Sequence, residues 1–124
     1  MKQSITFEDF RHGIEATIEQ GQPCVDGDGE CVYVNADGLR CVVGHMLDEP
    51  EAVTAELDAA GLVNAGEVVL DGVGREALVL AQNIHDWRAF SGVFHVRMLG
   101  VGPRIAKLPE KEAALLRRFL RAWR

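Results

Sequence analysis

The sequence predicts an α+β fold: a mainly helical single domain over residues 1–124, with about four helices and a short antiparallel β-hairpin at residues 31–43. Three observations predict it. Apolar residues recur at helical spacing in four segments, two β-prone runs flank the turn residues 36–38, and no linker or internal repeat divides the chain. A chain of this length buries roughly two-thirds of the surface that its unfolded form exposes, so we expect it to fold without disulfides.

Four segments carry helix start and stop signals. The first helix is expected after the N-cap Thr6, with Asp9 three residues later, and it ends at Gly21. The three others are expected at residues 50–60, 75–90 and 109–123. In the third helix His85 falls beside the apolar face, so we expect it to point toward the core. Residues 63–74 form either a third short strand or a packed loop, and residues 91–108 have no clear assignment.

The hairpin register determines whether its cysteines can share a site. Gly38 supplies the positive φ that a tight turn requires. With a three-residue loop at 36–38, Tyr33 opposes Cys41 and Cys31 lies on the same face. With a two-residue turn, the two cysteines point to opposite faces. Only the first register lets both thiols serve one site.

Charge is divided unevenly along the chain. Residues 1–87 contain 4 Lys/Arg and 17 Asp/Glu, whereas residues 88–124 contain 9 and 2. The basic part can fold back onto the acidic part, which we favour, or contact nucleic acid or an acidic partner. No apolar run approaches the length of a membrane span, and the start of the chain lacks a signal-peptide pattern. We therefore expect a cytoplasmic protein whose three cysteines are reduced thiols or metal ligands.

Two cysteines and two histidines form a candidate zinc set. Cys31, Cys41, His45 and His85 supply Cys₂His₂ chemistry, with Cys24 as a substitute ligand. The spacing of nine residues between Cys31 and Cys41 is not that of a standard zinc knuckle. The alternative is a packed cluster of small buried cysteines and hydrogen-bonded histidines. Spacing alone favours packing.

A cysteine hydrolase or transferase is a second hypothesis. Cys41 would be the nucleophile and His85 the base, with Asp86 or Asp37 to orient the base. Two features oppose it. Neighbouring helical residues such as His85 and Asp86 point about 100° apart, and no helix N-terminus is evident at Cys41 to activate the thiol.

The last predicted helix carries a cluster of arginines, which suits binding to phosphates or to an acidic partner. The residues are Arg117, Arg118, Arg121 and Arg124, with Arg97, Arg104, Lys107 and Lys111 as further contributors. The alternative is a solvated helix face whose charges complement the helix dipole, and this alternative is favoured.

The motifs around the cysteines resemble a family of small phage and prophage proteins of uncharacterised function. The resemblance covers residues 31–87 and consists of Cys31-x-Tyr33, Asp37-Gly38-x-x-Cys41-x-Val43-Gly44 and Gln82-x-x-His85-Asp86. This chain departs from the family by having Val42 where alanine is usual, and at residues 46–49. The resemblance implies a phage-encoded accessory protein inside the host cell, gives no activity, and raises a shared role for the candidate zinc set.

The sequence as a whole favours a function in binding. No catalytic constellation is complete, so we expect the protein to bind a host or phage macromolecule without turnover. The cysteine enzyme and nucleic-acid binding through the basic helix are the alternatives, and zinc is the cofactor to test.

Overall fold

The computed structural model describes residues 3–89 and 100–123. Within these residues it has two strands, six α-helices and one 3₁₀ helix at Pro50–Ala52. In chain order they are β1 (Gln3–Thr6), α1 (Phe7–Gln20), α2 (Val42–Met46), α3 (Ala59–Asn64), β2 (Val68–Asp71), α4 (Arg75–Ala89), α5 (Val101–Ala106) and α6 (Glu110–Ala122).

The predicted fold class is wrong in its sheet and in its helix count. The sheet of the described residues is a parallel pair, in which β1 runs beside β2 with Gln3 opposite Val68 and Thr6 opposite Asp71. No antiparallel hairpin of two strands occurs at residues 31–43, and the described part of the chain has six α-helices where about four were expected. The strand option for residues 63–74 is correct, because β2 lies there. Its pairing with the start of the chain was not foreseen.

The turn of the expected hairpin exists, but its flanks do not form strands. The Cys41 amide donates to the Tyr33 carbonyl oxygen at 3.2 Å, and Gly38 has a φ of 82°. Tyr33 therefore opposes Cys41, as in the three-residue register. Pairing stops there because the Gly44 amide donates to Cys41 Sγ, which makes Cys41 the N-cap of α2. Cys31 instead forms an isolated bridge with Val25.

The predicted first helix is confirmed, and the prediction of a second helix at residues 50–60 is wrong. Thr6 caps α1 in a capping box with Asp9, and Gly21 ends it in the left-handed conformation. Residues 50–60 are not one helix, because Val53 is extended after the 3₁₀ turn. The next helix begins only after Asp58, whose side chain accepts the Gly61 amide.

The two long predicted helices in the second half are confirmed as α4 and α6, with residue 90 outside the described part. Helix α5 lies within residues 91–108, which had no clear assignment from the sequence, and Gly100 is its N-cap residue. Helix α6 packs along α4 in the same direction. Glu112 Oε1 lies 3.2 Å from the position of a Cβ on Gly74, and the Trp123 ring stacks on His85. Gly74, just before α4, and His85 are eleven positions apart, as are Glu112 and Trp123, the C-cap of α6, so the two helices are parallel and in register.

The core is lined by buried apolar residues from both strands and all six helices. His85 is buried in it, which confirms its predicted inward direction. No helix within residues 3–89 or 100–123 has both the length and the apolar character needed to cross a membrane.

Replacing Gly44 tests the close approach of α2 to the 31–41 segment. A Cβ at Gly44 would lie 2.1 Å from the Tyr33 carbonyl oxygen, which is backbone and cannot yield. We expect Gly44→Ala to lower the free energy of unfolding by about 3 kcal/mol. Gly102→Ala is the matched control, since its Cβ meets nothing within 4 Å, and it should change stability by less than about 1 kcal/mol. Equal effects in urea unfolding would contradict this packing.

Candidate functional site

The site is organised by the ring of His85 on α4, which is fully buried. The backbone amide of Cys24 lies 3.0 Å from Nε2, and Asp86 Oδ1 lies 2.8 Å from Nδ1. An amide can only donate, so Nε2 must accept, and the ring proton must be on Nδ1. His85 is therefore a neutral Nδ1–H tautomer that donates to Asp86.

Asp86 accepts two hydrogen bonds on one oxygen. Gln82 Nε2 and His85 Nδ1 both donate to Oδ1, each at 2.8 Å. The amide of Val43 donates in turn to Gln82 Oε1 at 3.2 Å, which connects α4 to α2. The expectation that the 100° divergence of neighbouring side chains would keep Asp86 from readily orienting His85 is wrong. Gln82 lies four residues earlier on the same helix face and turns the carboxylate toward that face.

Asp86 lines a pocket of about 170 Å³ between α4 and the segment before α3. Tyr33 forms part of the wall and donates its hydroxyl proton to the Leu57 carbonyl oxygen. Further lining residues are Cys31, Val32, Ala55, Glu56, Asp58 and Gln82. Three of these side chains are acidic, counting Asp86. Sequence reasoning missed Glu56 and Asp58, because they reach the pocket only through tertiary packing.

The four predicted zinc ligands are only partly brought together. Donor atoms of Cys31 and His85 lie within 4.8 Å of one another and of an Asp86 oxygen. Cys41 and His45 do not belong to this group, which is the one such group in the described part of the chain. Cys41 caps α2, and His45 Nε2 lies 2.9 Å from Gln20 Oε1.

The hydrogen bonds of His85 bear on zinc directly. A metal on either ring nitrogen would displace the Cys24 amide or the Asp86 carboxylate. With a metal on Nδ1, a neutral ring would carry its proton on Nε2, facing the Cys24 N–H. Zinc remains a prediction, and both ring nitrogens of His85 are engaged in hydrogen bonds in the structure.

The proposed nucleophile, Cys41, and the proposed base, His85, both already accept hydrogen bonds from backbone amides. Cys41 is fully buried, and burial raises the pKa of its thiol far above the ordinary range. A helix N-terminus does begin at Cys41, contrary to expectation, but the thiol accepts the Gly44 amide there. His85 Nε2 already accepts the Cys24 amide, so it offers no free lone pair to a thiol. Asp37, the other proposed orienter, is exposed in the 36–38 turn.

The arginine cluster is engaged in part by its own chain. Arg118 pairs with Glu15 on α1 at 2.6 Å, and Arg117 pairs with Glu110 at 2.6 Å. Arg121 is exposed, and Arg124 lies outside the described residues. A further pair joins Arg104 to Glu76 at 2.7 Å. Arg118 and Arg104 thus fold the basic part back onto the acidic part.

Comparison of the chain with protein-family models, curated proteins and solved structures gave no match. The chemistry of the site therefore rests on its geometry.

Cysteine labelling tests the assignment of buried thiols. Burial and the nearby Asp86 charge raise the pKa of Cys31 to about 12, and burial raises that of Cys24 to about 11. We expect slow alkylation by iodoacetamide at neutral pH, with the half-buried Cys31 modified first and Cys24 and Cys41 only on unfolding. Peptide mass spectrometry would show the order. Rapid, selective modification of Cys41 would contradict the assignment.

The same labelling with added zinc tests the metal site. Zinc ligation would deprotonate Cys31, protect it from alkylation and add one metal ion in native mass spectrometry. Because His85 has no free nitrogen, we expect neither protection nor stoichiometric zinc. Protection of Cys31 from alkylation, or one bound zinc ion per chain, would support the metal hypothesis instead.

Burial, with a smaller contribution from Arg40, lowers the pKa of His45 from 6.5 to about 4. Between these values the unfolded chain binds a proton that the folded chain does not, so this contribution to stability is lost as the pH falls from 6.5 to 4. We expect His45→Gln, which can still donate to Gln20, to show a shallower decline over that window. Parallel curves of unfolding free energy against pH would rule out this contribution.

Proposed function

We propose that the protein acts by binding a partner protein without turnover, and that the pocket at Asp86 receives a positively charged side chain of that partner. One observation carries the proposal. Both N–H hydrogen bonds to the carboxylate fall on Oδ1, and no N–H or O–H group of the described residues donates to Oδ2, so the weak thiol donor of Cys31 is the one other polar group of these residues beside the carboxylate. Asp86 is therefore held in a fixed orientation with one oxygen left for a ligand, and about 30% of its side chain is exposed.

The size of the pocket favours a single side chain. Pockets for small-molecule ligands typically occupy about 300–1,000 Å³, whereas this pocket occupies about 170 Å³. Arginine and lysine are long side chains of that scale, and arginine is a frequent anchor at protein interfaces.

The charge around the pocket favours a cation. Glu56 and Asp58 are exposed at the pocket, and residues 1–87 carry a large acidic excess. Such a surface attracts a basic partner and repels an acidic one. Nucleic acid on the arginine face of α6 is the weaker candidate, since Arg117 and Arg118 already pair within the chain.

A binding function also agrees with the cysteine chemistry. The structure leaves all three cysteines as free thiols, which suits the reducing cytoplasm in which we place the protein. The family resemblance suggests that the partner is a host or phage protein. Its basic segment is the feature that this pocket would recognise.

Titration with an oligoarginine peptide tests the pocket. Asp86→Asn keeps an Oδ1 that can accept from Gln82 and His85, and it replaces only the unused oxygen by an amide. We expect this variant to bind oligoarginine about tenfold more weakly in calorimetry, because a charge-assisted hydrogen bond is lost.

Glu19→Gln is the matched control for net charge. Glu19 is exposed on α1 and does not line the pocket, so its removal should weaken binding by less than about twofold. If both variants weaken binding equally, attraction is diffuse and the pocket is not the site. If oligoarginine does not bind the unmodified protein, the proposed function is wrong.

A further inference from the structure

We infer that His85 is a positioning residue for Asp86, and that Trp123 holds His85 in place, so that docking of α6 determines how tightly the pocket binds a cationic side chain. This inference rests on the proposed function of the pocket. It adds Trp123, the C-cap residue of α6, which lies outside the pocket lining, to the determinants of binding.

The first step is the dependence of Asp86 on His85. Neighbouring side chains on a helix diverge by about 100°, so a carboxylate does not meet the preceding ring by default. Here the ring donates to Oδ1 at 2.8 Å, and Gln82 donates to the same atom. Rotation of the carboxylate would break both bonds, so the direction of Oδ2 follows from the ring.

The second step is the dependence of His85 on Trp123. The two ring centroids are 5.8 Å apart with an angle of 23° between the planes, which is a stacked arrangement. The Cys24 amide and Asp86 fix the ring within its plane, and Trp123 covers its face. The ring cannot tilt while Trp123 is docked.

Stacking on the His85 ring explains why residue 123 is aromatic. Trp123 is fully buried, yet its indole Nε1 has no hydrogen-bond partner in the described residues. Burying such a group is unfavourable, and leucine would avoid it. The polar contacts of this side chain are made by the ring face, with His85 and with Arg88, whose Cζ lies 4.3 Å from the ring centroid.

The fourth step is that α6 is anchored away from the pocket. Arg118 reaches Glu15 on α1, and Lys111 lies 4.6 Å above the Phe7 ring. In the first turn of α6, the Glu112 side chain packs against Gly74, which directly precedes α4. The position of Trp123 therefore depends on contacts with α1 and α4 along the length of α6.

Trp123→Leu tests the inference, with two measurements on the full chain. We expect oligoarginine to bind about fivefold more weakly, because Asp86 is no longer preorganised. The ¹⁵N shifts of the His85 ring should also move away from those of a single Nδ1–H tautomer. If this variant does not fold, Trp123→Phe, with a smaller stacking surface, should weaken oligoarginine binding about threefold and move the ¹⁵N shifts of the His85 ring in the same direction.

Leu116→Ala is the matched control. Leu116 on α6 is also fully buried and is not one of the two stacked rings, so we expect its truncation to lower the melting temperature and to leave the Trp123–His85 stack in place. At a temperature below all melting midpoints, its affinity should stay within about twofold of the unmodified protein, with the His85 shifts unchanged.

The binding results distinguish a failure of the proposed role of Trp123 from a failure of the proposed function of the pocket. If Trp123→Leu and Trp123→Phe bind as tightly as the unmodified protein while Asp86→Asn weakens binding, the inference is overturned and the function stands. If Leu116→Ala weakens binding as much as Trp123→Leu, general stability is responsible and the inference is again overturned. If the unmodified protein does not bind oligoarginine, the function itself is overturned.

Discussion

The hydrogen bond from the Cys24 amide to His85 Nε2 is the interaction on which the site depends. It spans 61 positions of sequence and joins the loop after α1 to the C-terminal half of α4. It also fixes the tautomer of the ring. A backbone N–H can only donate a hydrogen bond, so Nε2 must be the ring nitrogen without a proton. From that one constraint follow the proton on Nδ1, the bond to Asp86, and the absence of a free ring nitrogen for a metal or a thiol.

Close backbone packing provides the frame that makes this bond attainable. Gly44 lets α2 approach the Tyr33 carbonyl, and a Cβ on Gly13 would lie 2.5 Å from Met46 Cγ. Helix α2 thus sits tightly between α1 and the 31–41 segment. Its Val43 amide then reaches Gln82, so the same packing that places α2 also completes the hydrogen bonds around Asp86.

Local signals in the sequence predicted local structure, and little beyond it. The capping box at Thr6, the stripes of α4 and α6 and the turn at Gly38 all depend on residues within a few positions, and each was found. The parallel pairing of β1 with β2 was not, because each strand has four residues and their partners lie 65 positions apart. Residues 42–46 are rich in β-prone valine, and only tertiary packing and the Cys41 cap make them helical.

Some residues of the site could be predicted from the sequence, but their chemical roles could not. His85 could be expected to point inward from its helix face, and Cys31 to lie near it. Whether an imidazole serves as ligand, base or orienting group depends on what occupies its two nitrogens. One of those occupants is a backbone amide, which any residue but proline supplies at position 24. No pattern of side chains in the sequence can record it, so the hydrogen bonds on the two ring nitrogens of His85 could be found only in the structure.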